Sequence, residues 1–181
     1  MRQWVKLILA TIIMATIFAT NIYVATAHQW GKYHWHKSGS SIVIQNWIYG
    51  STQTQAESAR QDGWNKIAIL FNYRSAAHTD ISVFDGNFGN TGWGGLATLE
   101  SLDFDWGSFW WNHITHAHAR YNAFYGGTSA DIQGIYCQEI AHGWGLDHSN
   151  TGDCMGKTYF NSINVYGPHN NIDFNAMYRS H

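Results

Sequence analysis

The chain has 181 residues, of which 45% are hydrophobic, 16% aromatic and only 12% charged, with a formal net charge of −2. This length suits one compact domain with a substantial buried core. The sequence shows no basic patch, which argues against a nucleic acid as partner.

The first 27 residues have the pattern of a secretory signal peptide. Arg2 and Lys6 precede an apolar run over residues 7–18, and a small-residue A-x-A site ends at Ala27. We predict cleavage before His28, which leaves a single mature domain over residues 28–181 that is exported. The alternative is an uncleaved membrane anchor, because the apolar stretch continues weakly beyond residue 18.

Cleavage would remove two basic residues and no acidic ones, so the mature chain would carry eight basic and twelve acidic residues and a net charge of −4. We expect no stable membrane association after cleavage, since no second hydrophobic span follows.

The mature chain shows strand signals interrupted by helix signals. β-branched and apolar runs predict strands over residues 41–45, 67–71, 80–84 and 96–102. The scarcity of helix breakers predicts a helix over residues 52–66, and a final helix is expected over 171–178. The tryptophan-rich stretch 103–112 is predicted to be an exposed loop or hairpin.

Residues 114–122 alternate in character and predict a further strand. Its two faces carry Ala117, Ala119 and Tyr121 on one side and His116, His118 and Arg120 on the other. The two histidines share a face and could chelate a metal between them, or could simply form a solvated face of an edge strand.

The main functional signal is the stretch Q-E-x-x-H-x-x-G-x-x-H, which begins at Gln138. On a helix, Gln138 and His142 would project side by side, with Glu139 about 100° round the axis. Gly145 can take a positive φ, end the helix and return His148 towards the same point. Imidazoles that bind a metal and a carboxylate that takes a proton are the groups of a zinc hydrolase.

The helix that carries this motif has a predicted start and a predicted covalent clamp. Thr128 or Ser129 can cap it, and Asp131 suits its first turn. Cys137 and Cys154 are the only cysteines, and in an exported chain they predict one disulfide worth ~3 kcal/mol. Cysteine ligation of a metal is the alternative.

With Met155 directly after Cys154, the pattern resembles the metzincin-type zinc metalloproteases, in particular small secreted matrixin-like proteins. The resemblance covers most of the mature chain, including residues 33–35, 86–89, 92–97, 114–122 and 173–181. It implies an α+β metzincin-like zincin fold: a twisted mixed sheet with an antiparallel edge strand, an active-site helix and a small C-terminal subdomain. In that fold residues 114–122 would be the edge strand that binds substrate, and Met155 would form the Met-turn under the metal.

The resemblance also implies Zn²⁺ as cofactor, with Glu139 as general base, His142 and His148 as ligands, and Gln138 in place of the first ligand histidine. Three outcomes follow from that replacement. Gln138 could ligate through its amide oxygen as a weaker donor. Another residue could serve as third ligand, the candidates being His113, His116, His118 and Asp147. The protein could also be a metal-poor relative that keeps the cleft.

The sequence therefore favours a secreted zinc-dependent endopeptidase, expected to be a monomer, that acts on a protein or peptide substrate. The alternative is a catalytically impaired peptide-binding module. A third hypothesis is a surface-associated aromatic-rich protein that binds carbohydrate through exposed tryptophans.

Overall fold

The computed structural model of the chain describes residues 29–35, 42–66, 69–73, 80–104, 112–149, 152–156 and 163–178. Within these ranges the chain forms six strands and three helices of a mixed α/β domain. The strands are β1 (Tyr33–Trp35), β2 (Ile42–Ile48), β3 (Ile69–Tyr73), β4 (Ile81–Gly86), β5 (Gly95–Phe104) and β6 (Asn112–Asn122). The helices are α1 (Gln53–Lys66), α2 (Ser129–Gly143) and α3 (Pro168–Tyr178).

These elements confirm the predicted strands and helices with shifted ends. The last helix begins at Pro168, three residues before its predicted start, and β1 was not predicted. The predicted signal peptide over residues 1–27 and the tryptophans of the 103–112 segment lie outside the described residues. Within the described residues, no helix combines the length and the apolar character needed to cross a membrane.

The six strands form one mixed sheet. Its order is β3-β2-β4-β6-β5, with β1 also paired to β6, and every pair is parallel except β5 with β6. The antiparallel strand β5 therefore forms one edge, which agrees with the predicted mixed sheet.

The prediction that residues 114–122 form the edge strand is wrong. β6 pairs with β5 along one side, while β4 and β1 share its other side, so β6 is an interior strand. That prediction followed from the family resemblance, whereas the alternation of buried and exposed side chains reports only the two faces of a strand. It carries no information about the edges, where backbone groups pair.

The core lies between this sheet and the helices. Ala117, Ala119 and Tyr121 of β6 are buried there with Tyr136 and Ile140 of α2, as the predicted alternation of β6 requires. α1 packs against α2, and α2 packs against β5 and β6. This packing places the C-terminal half of α2 beside the edge strand.

Helix α2 is fixed at both ends. Thr128 is its N-cap, and a reciprocal capping box joins Thr128 to Asp131, with Asp131 N donating to Thr128 Oγ1 at 3.2 Å. At the other end Tyr178 Oη of α3 donates to Trp144 O at 2.7 Å and accepts from Trp35 N at 3.1 Å. One hydroxyl thus ties α3 and β1 to the end of α2.

Candidate active site

The chain turns back immediately after α2, as the glycine in the motif predicts. Gly145 has φ 98°, and Gly145 N and Leu146 N donate to His142 O and Ala141 O at 2.9 and 3.0 Å. A Cβ at Gly145 would lie 2.6 Å from Tyr33 O, so a side chain is excluded by space as well as by φ. The turn brings His148 against His142, with ring centroids 4.6 Å apart.

The tautomer of His142 is set by the same turn. Its Nδ1 lies 2.8 Å from Leu146 O, and because a carbonyl only accepts, Nδ1 carries the proton and Nε2 keeps its lone pair. Burial lowers the pKa of His142 to about 4, so the ring is neutral near pH 7. A neutral imidazole whose second nitrogen donates to the backbone is the form in which histidine binds metals.

A cavity of about 170 Å³ opens beside these two rings. One wall comes from α2 and the turn after it, the opposite wall from the start of β5, and Trp30 completes the lining. The lining residues are Trp30, Gly95, Leu96, Ala97, Glu139, His142, Asp147 and His148.

The edge strand passes very close to the helix at this cavity. A Cβ at Gly95 would lie 2.5 Å from both Glu139 Oε1 and Ile135 Cγ2. Only a glycine permits this approach, which sets the Glu139 carboxylate directly beneath the β5 backbone. Glu139 itself is 2% exposed.

Gln138 and Met155 are not among the residues that line this cavity. The Gln138 amide nitrogen donates to Gly156 O at 2.6 Å, and Met155 is completely buried. The predicted disulfide between Cys137 and Cys154 is present. Consecutive residues of α2 thus hold the segment around Met155 by one covalent bond and one hydrogen bond.

The structure brings together Glu139, His142 and His148, the residues of the motif, with Asp147, one of the candidate third ligands. Asp147 Oδ1 lies 3.6 Å from His148 Nδ1. The alternative ligands on β6, His113, His116 and His118, do not line the cavity. Across the described ranges, no group of three or more His, Cys, Asp or Glu side chains is arranged to hold a metal ion.

No family model and no curated protein matches the chain. Among solved structures, myroilysin aligns with 78% of this chain and 95% of its own at 11% identity and a TM-score of 0.49. A structural similarity this low supports no conclusion about activity.

Sequence reasoning missed two parts of the site. Trp30 lines the cavity and packs on His142 with ring centroids 5.2 Å apart, and Gly95 allows β5 to approach Glu139. Trp30 lies more than a hundred residues from the motif, and nothing in its local sequence points to a site. Gly95 stands in a glycine-rich segment that indicates a turn equally well.

Proposed function

We propose that the protein is an exported zinc-dependent endopeptidase of the metzincin type. The observation that carries this proposal is the shared cavity: a buried carboxylate and two adjacent imidazoles face the start of an edge strand. Proton transfer, metal binding and peptide binding thus meet in one place.

The cavity presents two imidazoles whose donor chemistry fits zinc. His142 presents Nε2 as a lone pair, and His148 lies against it. Gln138 does not line the cavity, and its amide nitrogen donates to Gly156 O, so a role as third donor would require its amide oxygen to turn towards the two imidazoles. Bound zinc would supply a Lewis acid for the scissile carbonyl and lower the pKa of a water.

Glu139 is the general base of the proposed reaction. It stands three residues before His142 on α2 and lines the same cavity as the His142 and His148 rings. It takes the proton of the attacking water and passes it to the leaving amine, a role that typically contributes 10²–10⁴-fold.

An extended peptide is the substrate that the surroundings favour. Among the described strands β5 pairs only with β6, and its residues Gly95, Leu96 and Ala97 border the cavity. A peptide added as a strand along this edge would bring its backbone over Glu139. The signal-like residues 1–27 and the Cys137–Cys154 disulfide support export, since disulfides persist in oxidising compartments.

A second candidate function is a peptide-binding module without catalysis. The 2.6 Å hydrogen bond from Gln138 to Gly156 O favours it, because this bond already occupies the amide that replaces the ligand histidine. Such a module would retain the edge strand and the cavity but would hold no zinc.

Hydrolysis of casein or gelatin by the purified oxidised chain tests the proposal. We expect activity that a chelator abolishes, that added zinc restores, and that Glu139→Gln lowers at least 10²-fold. Glu57→Gln is the matched control, because Glu57 pairs with Arg60 on α1, outside the cavity lining. Unchanged activity in Glu139→Gln would overturn the proposal, and peptide binding without cleavage by the wild type would support the module.

A further inference from the structure

A second pair of histidines lies on β6, outside the cavity lining. His116 and His118 stand on the same face of the strand, opposite Ala117 and Ala119, which are buried in the core. Their Nε2 atoms are 3.1 Å apart, and their ring centroids are 4.9 Å apart at 85°.

This geometry suits two ligands of one metal ion. Zn–N bonds of about 2.0–2.1 Å at angles of about 90–110° separate two ligand nitrogens by about 2.9–3.4 Å. The same bonds place the two ring centroids about 5 Å apart, whereas a linear N–H···N bond of this length would place them about 5.4 Å apart. The observed separations of 3.1 Å between the two nitrogens and 4.9 Å between the two ring centroids both fit two imidazoles bound to one ion.

A carboxylate stands behind one of the two rings. Glu100 Oε1 lies 3.1 Å from His118 Nδ1, on the side of the ring away from His116. Thr98 and Arg120 hold the same carboxylate oxygen, the latter at 2.8 Å. A carboxylate that accepts from the second ring nitrogen is the usual support of a metal-bound histidine, because it keeps the lone pair on the ligating nitrogen.

A β-bulge in β5 positions the Glu100 carboxylate. In the β5–β6 register Leu99 pairs with Ala117 but Ser101 pairs with His116, so Glu100 is an extra residue in a β-bulge. Bulges redirect a side chain relative to the regular pleat, and they recur next to functional sites. Here the redirected side chain is the one that reaches His118.

We propose that His116 and His118, supported by Glu100, form a second metal site for a divalent transition ion of the Zn²⁺ or Cu²⁺ class. Two imidazoles select such ions over Ca²⁺ and Mg²⁺, which prefer oxygen ligands. The site shares no residue with the cavity and does not rest on the proposed peptidase activity.

Arg120 sets the proton arrangement of the metal-free site. Its Nη2 lies 2.6 Å from His118 Nδ1 and donates to it, so the His118 proton sits on Nε2 and is shared with His116. Binding replaces the Nε2 proton with the metal, and Nδ1 takes up a proton that Glu100 accepts as a hydrogen bond. Arg120 then loses its hydrogen bond to His118 and keeps the one to Glu100. Because the proton lost from Nε2 is matched by the proton gained at Nδ1, metal binding releases no net proton.

We expect metal binding to hold the edge strand β5 more firmly against β6. Glu100 belongs to β5 and the two ligands belong to β6, so a bound ion would link these strands through His118 and Glu100. The start of β5 lines the cavity, which places the proposed ion and the candidate active site on one strand pair.

The test uses the full oxidised chain, produced without a polyhistidine tag and freed of metal. Zn²⁺ and Cu²⁺ are titrated by calorimetry in a His142→Asn/His148→Asn background, which removes the cavity imidazoles. We expect one equivalent of either ion, at least tenfold weaker binding in His116→Asn or His118→Asn, and about tenfold weaker binding in Glu100→Gln. His169→Asn is the matched control, because His169 pairs with Asp173 on α3.

Binding that is equally strong and stoichiometric after His116→Asn and His118→Asn would overturn the proposal. Should these variants fail to fold, the wild-type chain provides a second test. Sub-stoichiometric Cu²⁺ should broaden the amide NMR signals of Thr98, Glu100 and residues 116–118. Cu²⁺ broadening that spares these amides would equally refute the site.

Discussion

Gly145→Ala tests whether the turn after α2 is built as the structure shows. The substitution places a side chain on a residue with φ 98°, which costs roughly 1–2 kcal/mol for an L-residue. The new Cβ would also lie 2.6 Å from Tyr33 O, and such overpacking against backbone costs about 1–3 kcal/mol more. We therefore expect a loss of about 2–5 kcal/mol in the free energy of unfolding.

The two contributions can be separated by a matched variant. Gly92 has φ 82°, and a Cβ at that position would meet nothing within 4 Å. Gly92→Ala should therefore lose only the conformational part, roughly 1–2 kcal/mol. Urea unfolding of both variants at pH 7 measures the difference. A Gly145→Ala variant no less stable than Gly92→Ala would refute the close contact between the turn and β1.

Three further predictions concern the elements around the cavity. Gly95→Ala should cost about 1–3 kcal/mol and impair the site, because its Cβ would lie 2.5 Å from Glu139 Oε1; unchanged stability and activity would contradict this. Replacing Cys137 and Cys154, 17 positions apart, with alanine should lower the free energy of unfolding by about 3 kcal/mol in urea, and a loss under 1 kcal/mol would speak against the clamp. The pKa of His142 falls from 6.5 to about 4 on folding, so the unfolded chain binds more protons between these values. In the presence of a chelator, the free energy of unfolding should thus fall by about 3 kcal/mol as the pH drops from 6.5 to 4. The variant His142→Gln should lack this dependence on pH.

The motif was predictable because its geometry is local. The spacing of Glu139 and His142 is fixed by helix periodicity, and Gly145 is the residue type that a positive φ requires. The pairing of Cys137 with Cys154 followed from their being the only two cysteines. Each of these features needs only a few neighbouring residues or a simple count.

The edge of the sheet and the far wall of the cavity could not be predicted in this way. Which strand lies at the edge depends on the order in which distant segments pair, and the periodicity of β6 does not encode it. Trp30 reaches the site because its backbone N–H donates to Gly145 O at 2.8 Å, a contact between segments far apart in sequence. The partner of the Gln138 amide is likewise set by tertiary packing against Gly156.

The zinc content and peptidase activity of the wild-type chain, measured beside those of Gln138→His, test the central claim most directly. The proposed site on β6 contributes equally to both proteins, so the difference between them reports the cavity. The account predicts weakly held zinc and zinc-dependent casein hydrolysis in the wild type, with tighter zinc in the variant because imidazole is the stronger donor. A variant with neither more zinc nor altered activity would contradict it.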